Sequence, residues 1–162
     1  MSELARFAGL LGYDAWATAG CHQSLASVPS ARRGEAAYAK ALGICGHVQL
    51  AREVWLSRLT GKPTPPPTDW FPSLPLESLR ARADALDTAW RAFLGSLKEG
   101  SLAKACRYTS SEGKAFESLV GDILTHVINH GTYHRGQVAL LVTSLGGERA
   151  TTDYIAKTRS RV

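Results

Sequence analysis

Apolar residues recur at helical spacing along four long segments of the chain, and turn-forming residues separate these segments. In the last segment, for example, Ile123, Val127 and Val138 fall on one face of a helix. Glycine ends two of the patterns, at Gly61 after the second segment and at Gly146 after the fourth. The pattern predicts four helices with these approximate bounds: 2–26, 38–59, 76–97 and 116–145.

Two segments break the helical pattern. Residues 62–72 are too rich in proline for a helix or a central strand. We interpret them as a stiff crossover loop anchored by Trp70 and Phe71; the alternative is a polyproline ligand for another protein. Before the fourth helix, residues 106–109 and 114–116 flank a glycine-containing turn, and this arrangement predicts a small β-hairpin.

Together these elements predict an all-α fold. It is a four-helix bundle with a long crossover loop between helices two and three and a small hairpin before helix four. The inward face predicted for the fourth helix is made of Leu119, Ile123, Val127, His130, His134, Val138 and Leu141. Residues 153–155 are expected to pack back as a short terminal turn. With 162 residues the chain is most simply a single domain, 1–162, long enough to bury a hydrophobic core.

The charge and hydropathy of the chain argue against nucleic acid and membranes as binding partners. The chain carries 19 basic and 14 acidic residues, a net charge of +5, but the basic residues are scattered and form no stripe interleaved with aromatic residues. We therefore expect no specific nucleic-acid partner. No apolar run approaches the ~20 residues that a membrane span needs. The N-terminal segment does not resemble a secretory signal, so we expect a cytoplasmic protein with no membrane partner.

The cysteines carry little functional signal. The chain has three cysteines, Cys21, Cys45 and Cys106, which are widely spaced and include no Cys-x-x-Cys pair. This pattern disfavours a set of disulfides, so we expect buried, reduced thiols. Cys45 lies two residues before His47, which raises the alternative that it is a metal ligand. Residues two apart on a helix point in different directions, and this disfavours the alternative.

The histidines carry the strongest signal in the chain. Three of the five fall within residues 126–134, and His130 and His134 stand one helical turn apart, about 6 Å along the axis. His126 lies about 12 Å of helix rise from His134, so one ion cannot bind all three without distorting the helix. The spacing leaves the pairs His126/His130 and His130/His134 open. His47 interrupts an apolar stripe of the second helix, and three inward imidazoles on two helices indicate a metal site.

The segment 126–138, HVINHGTYHRGQV, resembles the signature of the DinB family, within the DinB/YfiT-like proteins. Residues 47–61 are similar to the second helix of that family, and Leu145-Gly146-Gly147 followed by Asp153-Tyr154 matches its end. The resemblance implies a four-helix bundle and a divalent ion, nickel or zinc first and iron as a further option. Carried over by position, the implied ligands are His47, His130 and His134. The position of His126 in the signature is usually not a ligand.

The resemblance also implies a class of chemistry. Three neutral histidines leave one coordination position of the ion open, and the ion can lower the pKa of a water or thiol there. Relatives include transferases and isomerases that use low-molecular-weight thiols. We therefore expect a thiol and a small electrophilic substrate as partners, and we include a homodimer among the expected assemblies. The alternative is a non-catalytic, stress-associated metal-binding bundle.

Two observations on a structure separate these functions. An open cleft with an arginine or lysine near the ligands favours the enzyme, whereas a narrow apolar pocket favours the non-catalytic bundle. No catalytic residue is assigned from the sequence. Asp14 and Glu53 are candidates for a general base by their helix positions only, and Arg135 and Gln137 either pack the helices or touch substrate. The family pattern has an acid followed by arginine after the helix-two histidine, where this chain has Arg52 followed by Glu53.

Overall fold

Four long helices and one small antiparallel sheet form most of the structure, a computed structural model that describes residues 2–62 and 64–160. Pro63, which follows the second helix in the sequence prediction, and Arg161, one of the scattered basic residues, lie outside the described residues. The helices and strands are α1 (Glu3–Ala26), α2 (Ala36–Leu59), α3 (Leu76–Ser96), β1 (Ala105–Thr109), β2 (Ala115–Leu119), α4 (Val120–Ser144) and α5 (Tyr154–Thr158).

The predicted helical class and the small hairpin are confirmed. The first three helices begin and end within two residues of the predicted bounds. The Ser2 hydroxyl accepts a hydrogen bond from the Ala5 amide and caps α1. Gly61, with a φ of 67°, follows the end of α2 in the left-handed conformation that glycine adopts without strain. The predicted terminal turn corresponds to α5, where Tyr154 packs edge-on against Tyr13 of α1.

The predicted start of the fourth helix is wrong. The prediction placed it near Phe116, with Leu119 on the inward face, whereas α4 begins at Val120. Residues up to Leu119 belong to β2 and pair with β1, Leu119 opposite Ala105. Leu119 is consequently 45% exposed. The cross-strand ladder supplies backbone hydrogen bonds that outweigh the local helical preference of these residues.

Each long helix contacts two others, so the four enclose a common interior. α1 packs against α3 and α4, and α2 packs against α3 and α4. One apolar cluster surrounds Leu25 and Val142, and the other surrounds Leu124 and Trp90, whose side chain is 1% exposed. None of the helices among the described residues combines the length and the apolar character needed to cross a bilayer.

A buried network of charges joins all four long helices. Asp14 of α1 is fully buried, and its carboxylate lies 2.5 Å from Nη1 of Arg135 on α4 and 3.7 Å from Nε of Arg52 on α2. Arg52 also donates to Asp87 of α3 at 2.6 Å. Opposite charges in contact compensate the cost of removing each from water. Arg135 and Asp14 therefore hold the helices together.

The crossover between α2 and α3 lies directly on the backbone of α2. Residues 64–75 form no regular element. A Cβ atom added at Gly46 would lie 2.2 Å from the carbonyl oxygen of Pro72, and one at Gly43 would lie 3.0 Å from that of Phe71. Only glycine permits this approach at position 46. The loop is thereby brought against His47, where Trp70 and Phe71 meet the imidazole.

Candidate metal centre

His47 of α2 and His130 and His134 of α4 converge on one point. One nitrogen atom from each imidazole lies within 4.8 Å of the other two. The Nε2 atoms of His47 and His130 are 3.1 Å apart, and the ring of His134 lies 4.5 Å from that of His130 and 4.7 Å from that of His47. The structure thus brings together the three residues that the family resemblance implied, at a spacing that a single ion can bridge.

Hydrogen bonds orient two of the three imidazoles. Nδ1 of His47 donates to the carbonyl oxygen of Trp70 at 2.8 Å, because a carbonyl oxygen only accepts. Nδ1 of His134 lies 2.8 Å from Oε1 of Gln137, an amide oxygen that also accepts. A proton on Nδ1 leaves Nε2 of each ring with a free lone pair, the state in which histidine binds metal. The donor set therefore fits a divalent ion.

Burial favours the neutral form of His130 and of His47. It is the main cause that lowers the pKa of His130 to about 4, with further lowering by His134, His47 and His126 nearby. Burial also lowers the pKa of His47, although the Trp70 carbonyl acts in the opposite direction. A metal ligand must be unprotonated, so a lowered pKa removes the competition between proton and metal at neutral pH.

Phe71 forms one wall of the site. Its ring stacks on that of His47, with centroids 4.2 Å apart and planes 12° from parallel. The same side chain is 50% exposed, so it stands between the histidines and solvent. His134 and Phe71 also border an open hollow of about 610 Å³ on the α4 side, with Tyr133 and Leu140 among its walls.

His126 lies beside the cluster and outside it. It is exposed on the surface of α4, with its ring 5.5 Å from that of Trp55 and 5.5 Å from that of His130. Only His47, His130 and His134 have nitrogens within mutual reach among the described residues. The spacing left two pairs open, His126/His130 and His130/His134. In the structure the second pair lies together with His47.

The other candidates from the sequence have other partners. Glu53 forms an ion pair with Arg82 of α3. Asp14 is held by two arginines in the interior, so neither carboxylate is free to act as a base. Cys45 is buried with its sulfur 4.0 Å from that of Cys21. Both thiols are buried and free as expected, whereas Cys106 is half-buried.

An open cleft adjoins the histidines on the side of the hairpin. It has a volume of about 330 Å³, and His47 and His130 form part of its wall. Trp55 and Arg58 of α2 and Tyr108 of β1 are among the other lining residues. Sequence reasoning missed Arg58 and Tyr108 because no periodic pattern indicates that the hairpin folds over the end of α2.

Comparison with known proteins gives a family match and a partial match to one relative. The sequence model described as the DinB family matches residues 6–161. A curated relative, the Protein DinB of Bacillus subtilis (strain 168), is 45% identical over 38 residues, which are 24% of this chain. The matched region spans 22% of that relative, about a fifth of its length. No solved structure gives a significant match to the chain.

Proposed function

The chain belongs to the DinB family, and we propose that it binds one divalent metal ion through His47, His130 and His134 and acts as a metal-dependent enzyme. One observation carries the metal site. Three imidazole nitrogens lie within 4.8 Å of one another, and carbonyl oxygens hold two of the rings in the tautomer that binds metal. Nickel or zinc suits three nitrogen ligands best, and iron is a further option.

The open cleft supports an enzyme over a closed structural site. A divalent ion held by three neutral ligands keeps an open position, where it can lower the pKa of a water or thiol and hold it as a nucleophile. The residues of this chain supply the surroundings. His47 and His130 face the cleft, Phe71 shields the other side of the His47 ring, and Arg58 brings a positive charge to the same cleft.

The proposal includes a reaction class. Because the chain resembles a family with thiol-dependent transferases and isomerases, we take a low-molecular-weight thiol as the nucleophile and a small electrophile as the second substrate. In this proposal residues 1–162 form one domain, the packed helices are a four-helix bundle with a crossover, and the protein works in the cytoplasm. A homodimer is the assembly proposed.

Metal analysis tests the site. Protein purified without a histidine tag should contain about one equivalent of divalent ion, and His134→Ala should contain none. His126→Ala is the matched control, because it removes an imidazole from the same helix outside the cluster, and it should retain the ion. If His126→Ala loses the metal and His134→Ala keeps it, the proposed ligand set is wrong.

A spectroscopic titration tests the reaction class. The cobalt- or nickel-loaded protein should gain a new absorption band when a small thiol such as 2-mercaptoethanol is added, because sulfur ligands change the visible spectrum of these ions. An unchanged spectrum with the ion demonstrably bound would remove the thiol-dependent class. A non-catalytic metal-binding role would then be the better explanation.

A further inference from the structure

We infer that the cleft beside the histidines binds a flat, conjugated small molecule that carries a carboxylate, and that Arg58 anchors this group. The inference rests on the proposed function for the reaction performed there, but binding at Arg58 itself requires no metal. It concerns the second substrate, the one that the nucleophile would attack.

Arg58 has a free positive charge at the cleft. Among residues 2–62 and 64–160 no carboxylate lies within 4.0 Å of its guanidinium, whereas Arg52, Arg82 and Arg135, which join different helices, each have such a partner. One N–H of Arg58 donates to the carbonyl oxygen of Thr109 at 3.0 Å. A guanidinium has five N–H donors, so others remain for an anion, in a planar fork that matches a carboxylate.

Aromatic side chains hold the guanidinium in place. Its central carbon lies 4.6 Å from the ring centre of Trp55 and 4.8 Å from that of Tyr108. These two rings meet edge to face, 4.9 Å apart. Cation–π contacts and the Thr109 carbonyl restrict the motion of a long side chain, so less entropy is lost when an anion binds.

The walls of the cleft favour a flat organic anion. Trp70 and Phe116 add aromatic surface to that of Trp55 and Tyr108, and Phe116 is 48% exposed. Aromatic faces stack on flat conjugated groups. The lining includes no aspartate or glutamate among the described residues, so a cationic ligand would find no partner there. Burial lowers the pKa of Arg58, which agrees with a cation held in a partly desolvated place.

The position of Arg58 in the cleft determines how a ligand bound to it would be oriented. Arg58, His47 and His130 all line the same cleft of about 330 Å³. In this proposal a small molecule whose carboxylate binds Arg58 extends its conjugated body along the cleft toward the histidines. Arg58 is a positioning residue for substrate in this arrangement.

The test compares trans-cinnamate with trans-cinnamamide, which share the flat body and differ in the charge. Binding to the metal-free chain of 162 residues is followed by the indole N–H resonances of Trp55 and Trp70. Cinnamate should bind at least tenfold more tightly than the amide. Arg58→Gln should remove this preference and leave the affinity for the amide unchanged, whereas Arg58→Lys should keep part of it.

A matched control removes the effect of net charge. Arg107→Gln changes the charge equally at the neighbouring hairpin, where Arg107 pairs with Glu117, and it should bind cinnamate as the parent does. A purely structural Arg58, one that only fastens the hairpin to α2, would give equal losses for both ligands in Arg58→Gln. That result, or a lack of preference in the parent, would overturn the inference.

His134→Ala separates this inference from the proposed metal site. If Arg58 is the anchor, His134→Ala binds cinnamate as the parent does, whether or not the protein binds metal. If the preference for cinnamate appears only after zinc is added and disappears in His134→Ala, the ion holds the carboxylate and Arg58 does not. Should Arg58→Gln fail to fold by circular dichroism, Arg58→Lys against Arg107→Gln decides the question.

Discussion

Gly46→Ala tests whether the crossover loop positions His47, one of the three proposed metal ligands. The added Cβ atom would lie 2.2 Å from the carbonyl oxygen of Pro72, whereas ordinary contacts begin at 3.4 Å. The loop or the helix must therefore move by about 1.2 Å. Because the obstructing atom is backbone in a proline-rich segment, no side chain can turn aside to relieve the contact. The hydrogen bond from His47 to the Trp70 carbonyl, two residues before Pro72, lies in the path of this movement.

The expected magnitude follows from three terms. Alanine is favoured over glycine inside a helix by about 1 kcal/mol. Overpacking costs about 1–3 kcal/mol, and the lost hydrogen bond costs about 1 kcal/mol more. We expect Gly46→Ala to lower the free energy of unfolding by about 1–3 kcal/mol and Tm by several degrees. Zinc affinity should fall about tenfold or more, because the group that orients a metal-bound histidine is displaced.

Two other glycines in helices supply the controls. At Gly12 of α1 an added Cβ meets nothing within 4 Å, so Gly12→Ala should stabilise the protein and leave zinc affinity unchanged. Gly43→Ala, with its contact at 3.0 Å, should fall between the two. Urea denaturation and calorimetric zinc titration measure both quantities. A Gly46→Ala variant as stable as Gly12→Ala, with parental zinc affinity, would refute the reasoning about the loop.

The remaining predictions concern other parts of the molecule. Asp14→Asn should lower the free energy of unfolding by about 3–5 kcal/mol in urea denaturation, because it leaves Arg135 buried without a carboxylate, while Arg52 keeps Asp87. Glu77→Gln, at the exposed pair with Arg80, should lower it by under about 1 kcal/mol; equal losses would contradict the role given to the network. Gln137→Leu should weaken zinc binding about 10–100-fold in calorimetry with no loss of helical circular dichroism, and parental affinity would show that the amide does not orient His134. Burial lowers the pKa of His22 from 6.5 to about 4, so unfolding takes up a proton below pH 6.5 and stability falls between pH 6.5 and pH 4. His22→Gln should reduce this slope in urea denaturation at pH 7 and pH 4.5, while the buried His130 still contributes a slope of the same sign; an unchanged slope would exclude His22 as a source. Removal of the metal ion by a chelator should lower Tm without unfolding the helices, because the hydrophobic core is stable without the ion. Loss of the entire helical circular-dichroism signal would contradict this prediction.

The long helices were predictable because their apolar stripes repeat over many turns, and because α1 begins at a serine cap while α2 and α4 are followed by glycine. The start of α4 was not, since Leu119 pairs with Ala105 across the sheet and this pairing has no local signal. Where a residue joins a ladder depends on a partner far along the chain.

The histidine cluster was predictable to different degrees. Spacing indicated His130 with either His126 or His134, and the apolar stripe of α2 indicated His47, while the choice of His134 over His126 depended on family resemblance. The Trp70 carbonyl could not have been found, because every residue has a carbonyl and only the fold selects this one. Arg58 was hidden for a similar reason, since the hairpin that completes its cleft is distant in sequence.

The buried charges at Asp14 have a consequence for helix register. Apolar ridges still interlock when a helix slides by one turn, but such a slide would carry Arg135 about 5.4 Å away from its carboxylate. Asp14 contacts Arg135, the residue after His134, and Arg52, five residues after His47. The Asp14 carboxylate therefore fixes the position of α2 relative to α4 along the helix axes. These two helices carry His47, His130 and His134. The spacing of the three histidines consequently depends on an ion pair that is not itself part of the histidine cluster.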